Sequence, residues 1–216
     1  MDKFGLIGCG IAHSASPALF KKAYGGRWDY DLIDEKDFDT AMNRFLDGPY
    51  KAVNVTSPFK ADAAIRALRK SQEVEICGVA NILVKEDTMV KAYNSDYLGM
   101  LKLLEVYEGN VSVIGFGGAG KAALAAASAA GRKTRFFHHN EIEDGVEDDI
   151  IIYTLPCSAS GYTKMQARVL IESNYKDPVC RNLEGVQWYV PGEDWLQAQA
   201  ITGYPIMTGE NVEFQL

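Results

Sequence analysis

The 216-residue sequence contains few cysteines and less positive than negative charge. The four cysteines are widely scattered and none forms a CxxC pair, which excludes a zinc knuckle and the disulfide framework of a small secreted protein. Basic residues number 22 against 29 acidic ones, and the net charge of −7 argues against a nucleic-acid partner and an anionic membrane surface. A small anion is not excluded, because local donors can meet its charge.

Long hydrophobic runs and low-complexity segments are also lacking. The most apolar run, AALAAASAA, is far shorter than the about 20 residues that a membrane-spanning helix needs. The N-terminal MDKFGLIGCG has too short an apolar run for a signal peptide. We therefore expect a cytoplasmic protein with reduced thiols and no membrane partner.

Strand-like and helix-like segments alternate along the chain, which predicts an α/β fold. In the first half, strands are predicted at residues 3–8, 28–34 and 51–56, with a hairpin at 78–94 around Glu86 and Asp87. Helices are predicted at 16–26, 35–48, 58–70 and 95–109. The first of these helices has Ser16 as N-cap and Pro17 at the first helical position. The second places Phe38, Met42 and Phe45 on one face.

A second α/β unit is predicted from about residue 108. A strand, a glycine turn, an alanine-rich helix and another strand follow in order at residues 110–140. Further buried strands are expected in DDIIIYTLP and ARVLIESNY. The acidic segment that precedes DDIIIYTLP is too short for a full crossover helix, so this unit should be compressed there.

The glycine turn VSVIGFGGAGKAA fits the pattern G-x-G-x-x-G at Gly115, Gly117 and Gly120. A strand before it and a helix after it are the context in which backbone N–H groups bind the pyrophosphate of a dinucleotide. The alternative is a plain strand–helix turn that favours glycine. At the next strand end, Glu141 is the nearest acid and would favour NAD. The basic residues Arg132, Lys133 and Arg135 come earlier and are the alternative for NADP, and His138 and His139 are interpreted as exposed strand-end residues.

The segment NVTSPFK raises a question about Lys60. If Ser57 is an N-cap and Pro58 the first helical residue, Lys60 lies in the first turn, where the helix dipole disfavours a cation. A lysine held there near a carboxylate can donate and accept a proton, and Asp96 at another helix start offers that carboxylate. A solvated surface lysine and a simple first-turn acid are the alternatives.

The segment GIAHSASPALF places two hydroxyl groups, those of Ser14 and Ser16, before a helix start. Hydroxyl and backbone N–H groups there could face an anion together. Capping by Ser16 alone is the alternative.

Together these segments resemble the shikimate dehydrogenase family. The matching stretches are HSASP, NVTSPFK, GVANIL, YNSDYLG, IGFGGAGKAA and WLQAQAITGYPIMTG. Their order and spacing hold over nearly the whole chain. The resemblance implies a substrate-binding catalytic domain at residues 1–100, to which a C-terminal helix at 195–216 returns, and a Rossmann-like NADP-binding domain at 101–194.

The resemblance also implies an activity: reversible, NADP-dependent reduction of 3-dehydroshikimate to shikimate, a step of chorismate and aromatic amino acid biosynthesis. By the same resemblance, Lys60 is the catalytic lysine that exchanges a proton with the reacting oxygen, and Asp96 is the acid that holds this lysine and a substrate hydroxyl. The implied substrate-binding residues are Ser14, Ser16, Thr56, Asn81, Tyr175 and Gln199. The implied cofactor-binding residues are Gly115, Gly117, Gly118, Ala119, Asn140 and Gly192. No metal is implied, and the enzyme is expected as a monomer or homodimer.

The cofactor half departs from the family pattern. His139, Asn140 and Glu141 stand where the family has N-R-T, so the arginine that would hold the 2′-phosphate of NADP is missing. Leu155 precedes Pro156 in IYTLPCSASGY, where the family has N-A-T-P-x-G-M. Two alternative hypotheses follow: a quinate or aminoshikimate dehydrogenase that uses NAD, and a non-catalytic relative that binds shikimate.

Overall fold

The structure, a computed structural model, describes residues 2–159 and 162–212. The chain divides into two compact units. The first runs to Ser95 and resumes at Ala200, and the second comprises Asp96–Gln199. Each unit has its own sheet, which confirms the predicted α/β fold.

The first sheet contains the predicted strands and hairpin. Its strands are β1 (Lys3–Gly8), β2 (Asp29–Asp34), β3 (Tyr50–Val55), β4 (Arg69–Lys70), β5 (Ile82–Glu86) and β6 (Met89–Tyr93), in the order β2-β1-β3-β5-β6-β4. Strand β1 pairs in parallel with β2 and β3, whereas β5 is antiparallel to β3 and β6. The hairpin turn contains Asp87 at a φ of 53°, a conformation that an aspartate tolerates.

Four short helices belong to the first unit: α1 (Ser16–Ala23), α2 (Phe38–Asp47), α3 (Lys60–Arg66) and α4 (Gln72–Cys77). The predicted apolar face of α2 is confirmed, because Phe38, Met42 and Phe45 are all buried. The Asp37 carboxylate caps this helix by accepting a hydrogen bond from the Thr40 N–H at 2.8 Å.

Two predicted helix starts were wrong. Helix α3 begins at Lys60, because the cis peptide bond between Ser57 and Pro58 belongs to a turn; Ser57 is therefore not its N-cap. Helix α1 includes Ser16 and is preceded by Ala15 as its N-cap.

The predicted end of α3 was also wrong. The helix stops at Arg66 and not at residue 70, and Ile65 and Leu68, whose spacing is typical of a helix's apolar face, are 77% and 78% exposed. The short elements β4 and α4 were not predicted. Neither is long enough to show a periodic hydrophobic pattern.

An aromatic core lies within the first unit. Phe20 lies within 4.7 Å of the Tyr30 ring and within 5.0 Å of the Tyr204 ring, measured between centroids. Tyr204 and Met207 come from the C-terminal half of α7 (Gly192–Thr208), so this part of the chain returns to the first unit. The helix had been predicted at 195–216, of which residues 213–216 lie outside the described residues.

The second unit has a fully parallel sheet. Its strands are β7 (Val111–Ile114), β8 (Thr134–Phe137), β9 (Val146–Tyr153), β10 (Met165–Glu172) and β11 (Val186–Val190), in the order β11-β10-β9-β7-β8. The long helices are α5 (Ser95–Leu104), which the unit boundary crosses near its start, and α6 (Gly118–Ala129). The predicted compression is confirmed, since only a single 3-10 turn at His139–Glu141 connects β8 to β9. Strand β11 was not predicted.

No helix in the described part of the chain has the length and apolar character needed to cross a membrane. The predicted functional division at residues 100 and 195 stays a prediction.

Candidate active site

The predicted site residues divide between the two units. Those in the first unit are Ser14, Ser16, Thr56, Lys60 and Asn81. Those in the second unit are Asp96, Tyr175, Gln199, Asn140, Gly192 and the glycine turn.

In the first unit, the predicted site residues lie at one edge of the sheet. Strands β1 and β3 are parallel, so the segments that follow them leave at the same edge. Asn54, near the end of β3, is paired with Ile82 at the start of β5, and Ile82 is paired with Tyr93 at the end of β6. Four segments therefore meet at this edge. They are the turn after β1 that contains Ser14 and Ser16 (the serine turn), the turn after β3 that leads to Lys60 (the lysine turn), Asn81 before β5 and Ser95 after β6.

The turn after β1 is fixed by the end of β2. The Asp34 carboxylate accepts hydrogen bonds from the backbone N–H groups of Gly10 at 2.7 Å and Ile11 at 3.0 Å. At Gly8, a Cβ would come within 2.6 Å of the Thr56 methyl group, so glycine allows the two turns to pack together. These contacts position the serine turn before any ligand arrives.

Ser14 and Ser16 are brought together, as predicted. The Ser14 hydroxyl accepts a hydrogen bond from the Ser16 N–H and donates one to Ser16 Oγ, both at 3.2 Å. Ser14 is therefore the residue whose side chain satisfies the helix start, a role that had been considered for Ser16. Both side chains are half-buried, and their hydroxyl groups converge at one point.

Sequence reasoning missed Tyr30 and Asn54. The Tyr30 hydroxyl donates to Asn54 Oδ1 at 2.8 Å and is also hydrogen-bonded to Ser16. Burial raises the pKa of Tyr30 well above its ordinary value, and nearby Tyr204 adds to this shift, so Tyr30 stays a neutral donor. Asn54 is the first residue of NVTSPFK and could have been considered from its place in that motif; Tyr30 gave no sequence signal.

Lys60 is the first residue of α3 and is half-buried. Its backbone carbonyl accepts a hydrogen bond from the Ala80 N–H at 2.8 Å, which ties the start of α3 to the segment that contains Asn81. The Thr56 N–H donates to the Ile7 carbonyl at 2.9 Å, which fixes the other end of the turn to β1. The lysine thus extends from a turn that is held at both ends.

Asn81 directly precedes β5, is 4% exposed and contacts Ser95, the first residue of α5. Its Oδ1 accepts a hydrogen bond from the Ser95 N–H at 2.7 Å, and its Nδ2 donates to Ser95 Oγ at 3.1 Å. The Ser95 hydroxyl is the group that the Asn81 side chain holds. The adjoining Asn94 is fully buried and donates from Nδ2 to the Val79 carbonyl at 2.8 Å.

In the second unit, Asp96 follows in the first turn of α5 and is 2% exposed. Trp195 of α7 donates from Nε1 to the Asp96 carbonyl at 3.1 Å. One turn further along α5, a Cβ at Gly99 would come within 2.8 Å of the Gln199 backbone N. Close packing of α5 and α7 therefore depends on Gly99 and fixes Asp96 and Gln199 on neighbouring helices.

The glycine turn has the geometry of a phosphate cradle. Gly115 has a φ of 96°, and a Cβ at Gly120 would lie 2.0 Å from the Gly115 carbonyl oxygen. Gly117 is the N-cap of α6 and has no side-chain cap, so the first N–H groups of this 12-residue helix remain open to an anion. A Cβ at Gly117 would meet nothing within 4 Å. A pyrophosphate fits this turn.

The residues around β8 differ from the expectation that Glu141 or an arginine earlier in the chain binds the adenosine ribose. Glu141 accepts a hydrogen bond from the His138 backbone N–H at 2.6 Å and so caps its own 3-10 turn. Arg135 contacts Asp148 at 2.9 Å, and Arg132 donates to the Tyr107 carbonyl at 2.7 Å. Both arginines are committed to other elements. Asn140, His138 and His139 are exposed, as predicted for the two histidines.

Tyr175 is half-buried in a loop that follows β10, where it lines a cavity of about 220 Å³ with Cys157. Glu172 organises this loop. It is fully buried and accepts hydrogen bonds from the Val179 and Cys180 N–H groups, the Tyr189 hydroxyl and the Asn174 side chain.

Gly192, the first residue of α7, packs against the same loop. A Cβ there would lie 2.8 Å from the Tyr175 N, so close backbone packing by itself explains this glycine. The sequence had suggested Gly192 as a cofactor-binding residue, which stays a prediction.

The segment after β9 also contacts the glycine turn. Thr154 Oγ1 donates to the Ile114 carbonyl at 2.8 Å, and Asn174 Nδ2 donates to the Leu155 carbonyl at 3.0 Å. Within IYTLPCSASGY, Ser160 and Gly161 lie outside the described residues.

Comparison with known proteins matches the first unit most directly. Residues 6–83 match the family model described as the shikimate dehydrogenase substrate binding domain. A protein named shikimate dehydrogenase (NADP(+)) from Xanthomonas oryzae pv. oryzae is 33% identical over 142 residues, which cover 61% of this chain and 50% of the relative. The chain thus spans about half the length of the curated relatives that it matches.

Solved structures share the fold over almost the whole chain. Shikimate dehydrogenase from Aquifex aeolicus superposes with a TM-score of 0.82 at 22% identity, over 98% of this chain and 94% of that one. Shikimate 5-dehydrogenase from Thermus thermophilus, solved in complex with NADP(H) and shikimate, gives a TM-score of 0.80 at 19% identity, over 99% and 95%. The substrate-domain model and the curated relatives agree, so residues 6–83 match a shikimate dehydrogenase substrate binding domain, and the chain is similar to shikimate dehydrogenases.

Proposed function

We propose that the protein is a shikimate dehydrogenase that reversibly reduces 3-dehydroshikimate to shikimate with NADPH. The observation that carries this proposal is that five predicted site residues lie at the same edge of the first sheet. They are held there by hydrogen bonds and are Ser14, Ser16, Thr56, Lys60 and Asn81. The names of the curated relatives support the same substrate and cofactor, as does the Thermus thermophilus complex with NADP(H) and shikimate.

The serine turn supports binding of the substrate carboxylate. The hydroxyl groups of Ser14 and Ser16 are hydrogen-bonded to each other, and Ser16 is also hydrogen-bonded to Tyr30, whose own hydroxyl donates to Asn54. Two hydroxyl donors at a turn are suited to a carboxylate, because such hydrogen bonds are stronger when the acceptor is charged. Thr56 and Asn81 are the proposed partners of the ring hydroxyls, and the bond from Ser95 keeps the Asn81 side chain in one orientation.

Lys60 is the proposed general acid and base. It donates a proton to the substrate oxygen as the carbonyl is reduced and takes it back in the reverse direction. The start of α3 and the turn before it are hydrogen-bonded to Ala80 and to Ile7 of β1, which restricts the backbone from which the Lys60 side chain extends. Asp96, buried in the first turn of α5, is the proposed acceptor for the lysine and a substrate hydroxyl. Gln199 and Tyr175 are proposed as further substrate ligands.

The glycine turn is the proposed binding site of the cofactor pyrophosphate. Backbone N–H groups of Gly117, Gly118 and Ala119 lie at the start of α6, and the open space at Gly117 leaves room for a close approach of the pyrophosphate. When bound, NADP supplies or accepts the hydride. Asn140, exposed at the end of β8, is a proposed contact on the adenosine side. We also propose a cytoplasmic location, which the four free thiols support.

Dihydronicotinamide absorbance tests the proposal. The protein is mixed with shikimate or quinate and with NADP or NAD, and shikimate binding is measured in parallel by calorimetry. We expect turnover with shikimate and NADP. Turnover with quinate alone would reject the substrate assignment. Binding of shikimate without turnover with any pair would reject the activity and favour the non-catalytic alternative.

A further inference from the structure

An aromatic cluster lies beside the glycine turn. It consists of Phe116, Phe136 and His138. The rings of Phe116 and Phe136 stack at 4.7 Å between centroids, and His138 meets both rings edge-on at 5.9 Å and 5.5 Å. Phe116 and Phe136 are 37% and 45% exposed, although stacked rings of this size are usually buried in a core. The cluster therefore offers an open apolar surface next to the turn.

This cluster lies where a dinucleotide-binding unit binds the adenosine ribose, at the ends of its first two strands. Phe116 is the second residue of the glycine turn after β7, and His138 is the first residue after β8. The two strands are parallel neighbours, so both residues lie at the carboxyl edge of the sheet. In this fold, the residue that distinguishes a ribose 2′-hydroxyl from a 2′-phosphate lies near the end of the second strand.

One cation lies over the aromatic cluster. The Lys121 ammonium lies 5.5 Å from the centroid of Phe116, within the range of a cation–π contact. Lys121 is the fourth residue of α6 and closes its first turn, so it stands next to the N–H groups that would hold the pyrophosphate. The side chain is half-buried, and the ring of Phe116 limits its motion.

The other charged groups near this strand end are directed elsewhere. Oε2 of the exposed Glu141 accepts a hydrogen bond from the His138 N–H, so this carboxylate is oriented by its own turn, and it carries no positive charge for a 2′-phosphate. Arg132 and Arg135 are held by Tyr107 and Asp148. Lys121 is thus the basic side chain best placed to meet an anion here.

We propose that Lys121, held over the ring of Phe116, binds the 2′-phosphate of NADP in place of the missing arginine and makes the protein select NADP over NAD. This inference rests on the proposed function, since it concerns the cofactor of that reaction. Phe116 positions the lysine, and the exposed faces of the cluster contact the adenosine.

Two fragments of the cofactor test the proposal without turnover. Isothermal calorimetry measures the affinity of the full-length protein for 2′,5′-ADP and for 5′-AMP, which differ only in the 2′-phosphate. We expect the wild type to prefer 2′,5′-ADP by at least about tenfold, the effect of one charged hydrogen bond. Lys121→Gln should remove most of this preference and leave the affinity for 5′-AMP unchanged, whereas Lys121→Arg should keep it.

The matched control is Lys133→Gln. Lys133 is exposed in the same unit but precedes β8, so it lies at the opposite edge of the sheet and its loss should leave the preference intact. Phe116→Leu provides a second test that leaves every charge in place, and it should lower the preference partially because Lys121 loses its support.

Three results would overturn the inference: equal affinity of the wild type for both fragments, an unchanged preference in Lys121→Gln, or no binding of either fragment. Failure of the proposed function is distinguishable from these. Turnover of shikimate with NAD, without any preference for 2′,5′-ADP, would reject the role of Lys121 and retain the dehydrogenase. Preference for 2′,5′-ADP without shikimate turnover would retain Lys121 and reject the activity.

Discussion

Lys60 lies at the start of α3, where the helix dipole disfavours a cation, and the family resemblance assigns it proton transfer. We predict that Lys60→Ala lowers kcat by about a thousandfold and leaves the dissociation constant of shikimate within about threefold, because general acid–base catalysis contributes about a hundred- to ten-thousandfold. Absorbance assays measure kcat and calorimetry measures binding. Lys70→Ala removes an exposed lysine of the same unit and should change neither quantity. An equal loss of turnover and binding would make Lys60 a binding residue.

Glu172 is a second residue whose role follows from its contacts. Its carboxylate is fully buried and accepts from two backbone N–H groups and the Tyr189 hydroxyl. Glu172→Gln replaces one accepting oxygen by a donor, which leaves a buried N–H without its partner. We expect the free energy of unfolding to fall by about 2 kcal/mol, measured by urea denaturation. Glu147→Gln, at an exposed position of β9, should change it by less than about 0.5 kcal/mol. Equal stability of the two variants would contradict the prediction.

Among the elements, the packing at the start of α6 depends on Gly120 more than on Gly117. A Cβ at Gly120 would press on the Gly115 carbonyl, which is backbone and cannot move aside, whereas a Cβ at Gly117 has free space. We predict that Gly120→Ala lowers the free energy of unfolding by about 2 kcal/mol or more, as overpacking does. Gly117→Ala should stay within about 1 kcal/mol of the wild type. Thermal denaturation of both variants without ligand measures this, and equal melting temperatures would show that the turn adapts.

The elements also show how far sequence reasoning could reach. Strand β1 and helix α2 were predicted because their patterns are periodic and their ends carry turn or capping residues. Strand β11 was missed because its residues are half-exposed at a sheet edge and follow no alternation. The exposure of Ile65 and Leu68 could not be foreseen, since α3 ends at Arg66 and the backbone is extended at Ala67, an end that the apolar spacing does not indicate.

The candidate site was predictable to the extent that its residues lie in short motifs. Ser14, Lys60 and Asn81 were found from segments with local signals or family resemblance. Tyr30 and Asn54 were missed because their contact joins strands 24 residues apart in sequence and exists only once β2, β1 and β3 pair. The contacts of Arg132 with the Tyr107 carbonyl and of Arg135 with Asp148 are likewise tertiary contacts, which cannot be predicted from the sequence at the strand end.

At the scale of the whole molecule, each unit has its own core, and the contacts that hold the serine and lysine turns exist without ligand. A preformed site binds the native state and not the unfolded chain, so shikimate should stabilise the protein by mass action. At a hundredfold excess over the dissociation constant, the gain is about 2.7 kcal/mol. For a chain of this size, that corresponds to a rise in melting temperature of about 5–10 °C.

Differential scanning fluorimetry measures that rise. Benzoate, which has the carboxylate but none of the ring hydroxyls, is the matched control ligand and should raise the melting temperature much less, because it lacks the hydroxyl groups that Thr56 and Asn81 are proposed to bind. Lys60→Ala should keep the full shift with shikimate, since the lysine is proposed to act on the proton and not on ground-state binding. An equal shift with benzoate and shikimate would mean that the protein recognises only the carboxylate, and the edge of the first sheet would then be an anion site without specificity for shikimate.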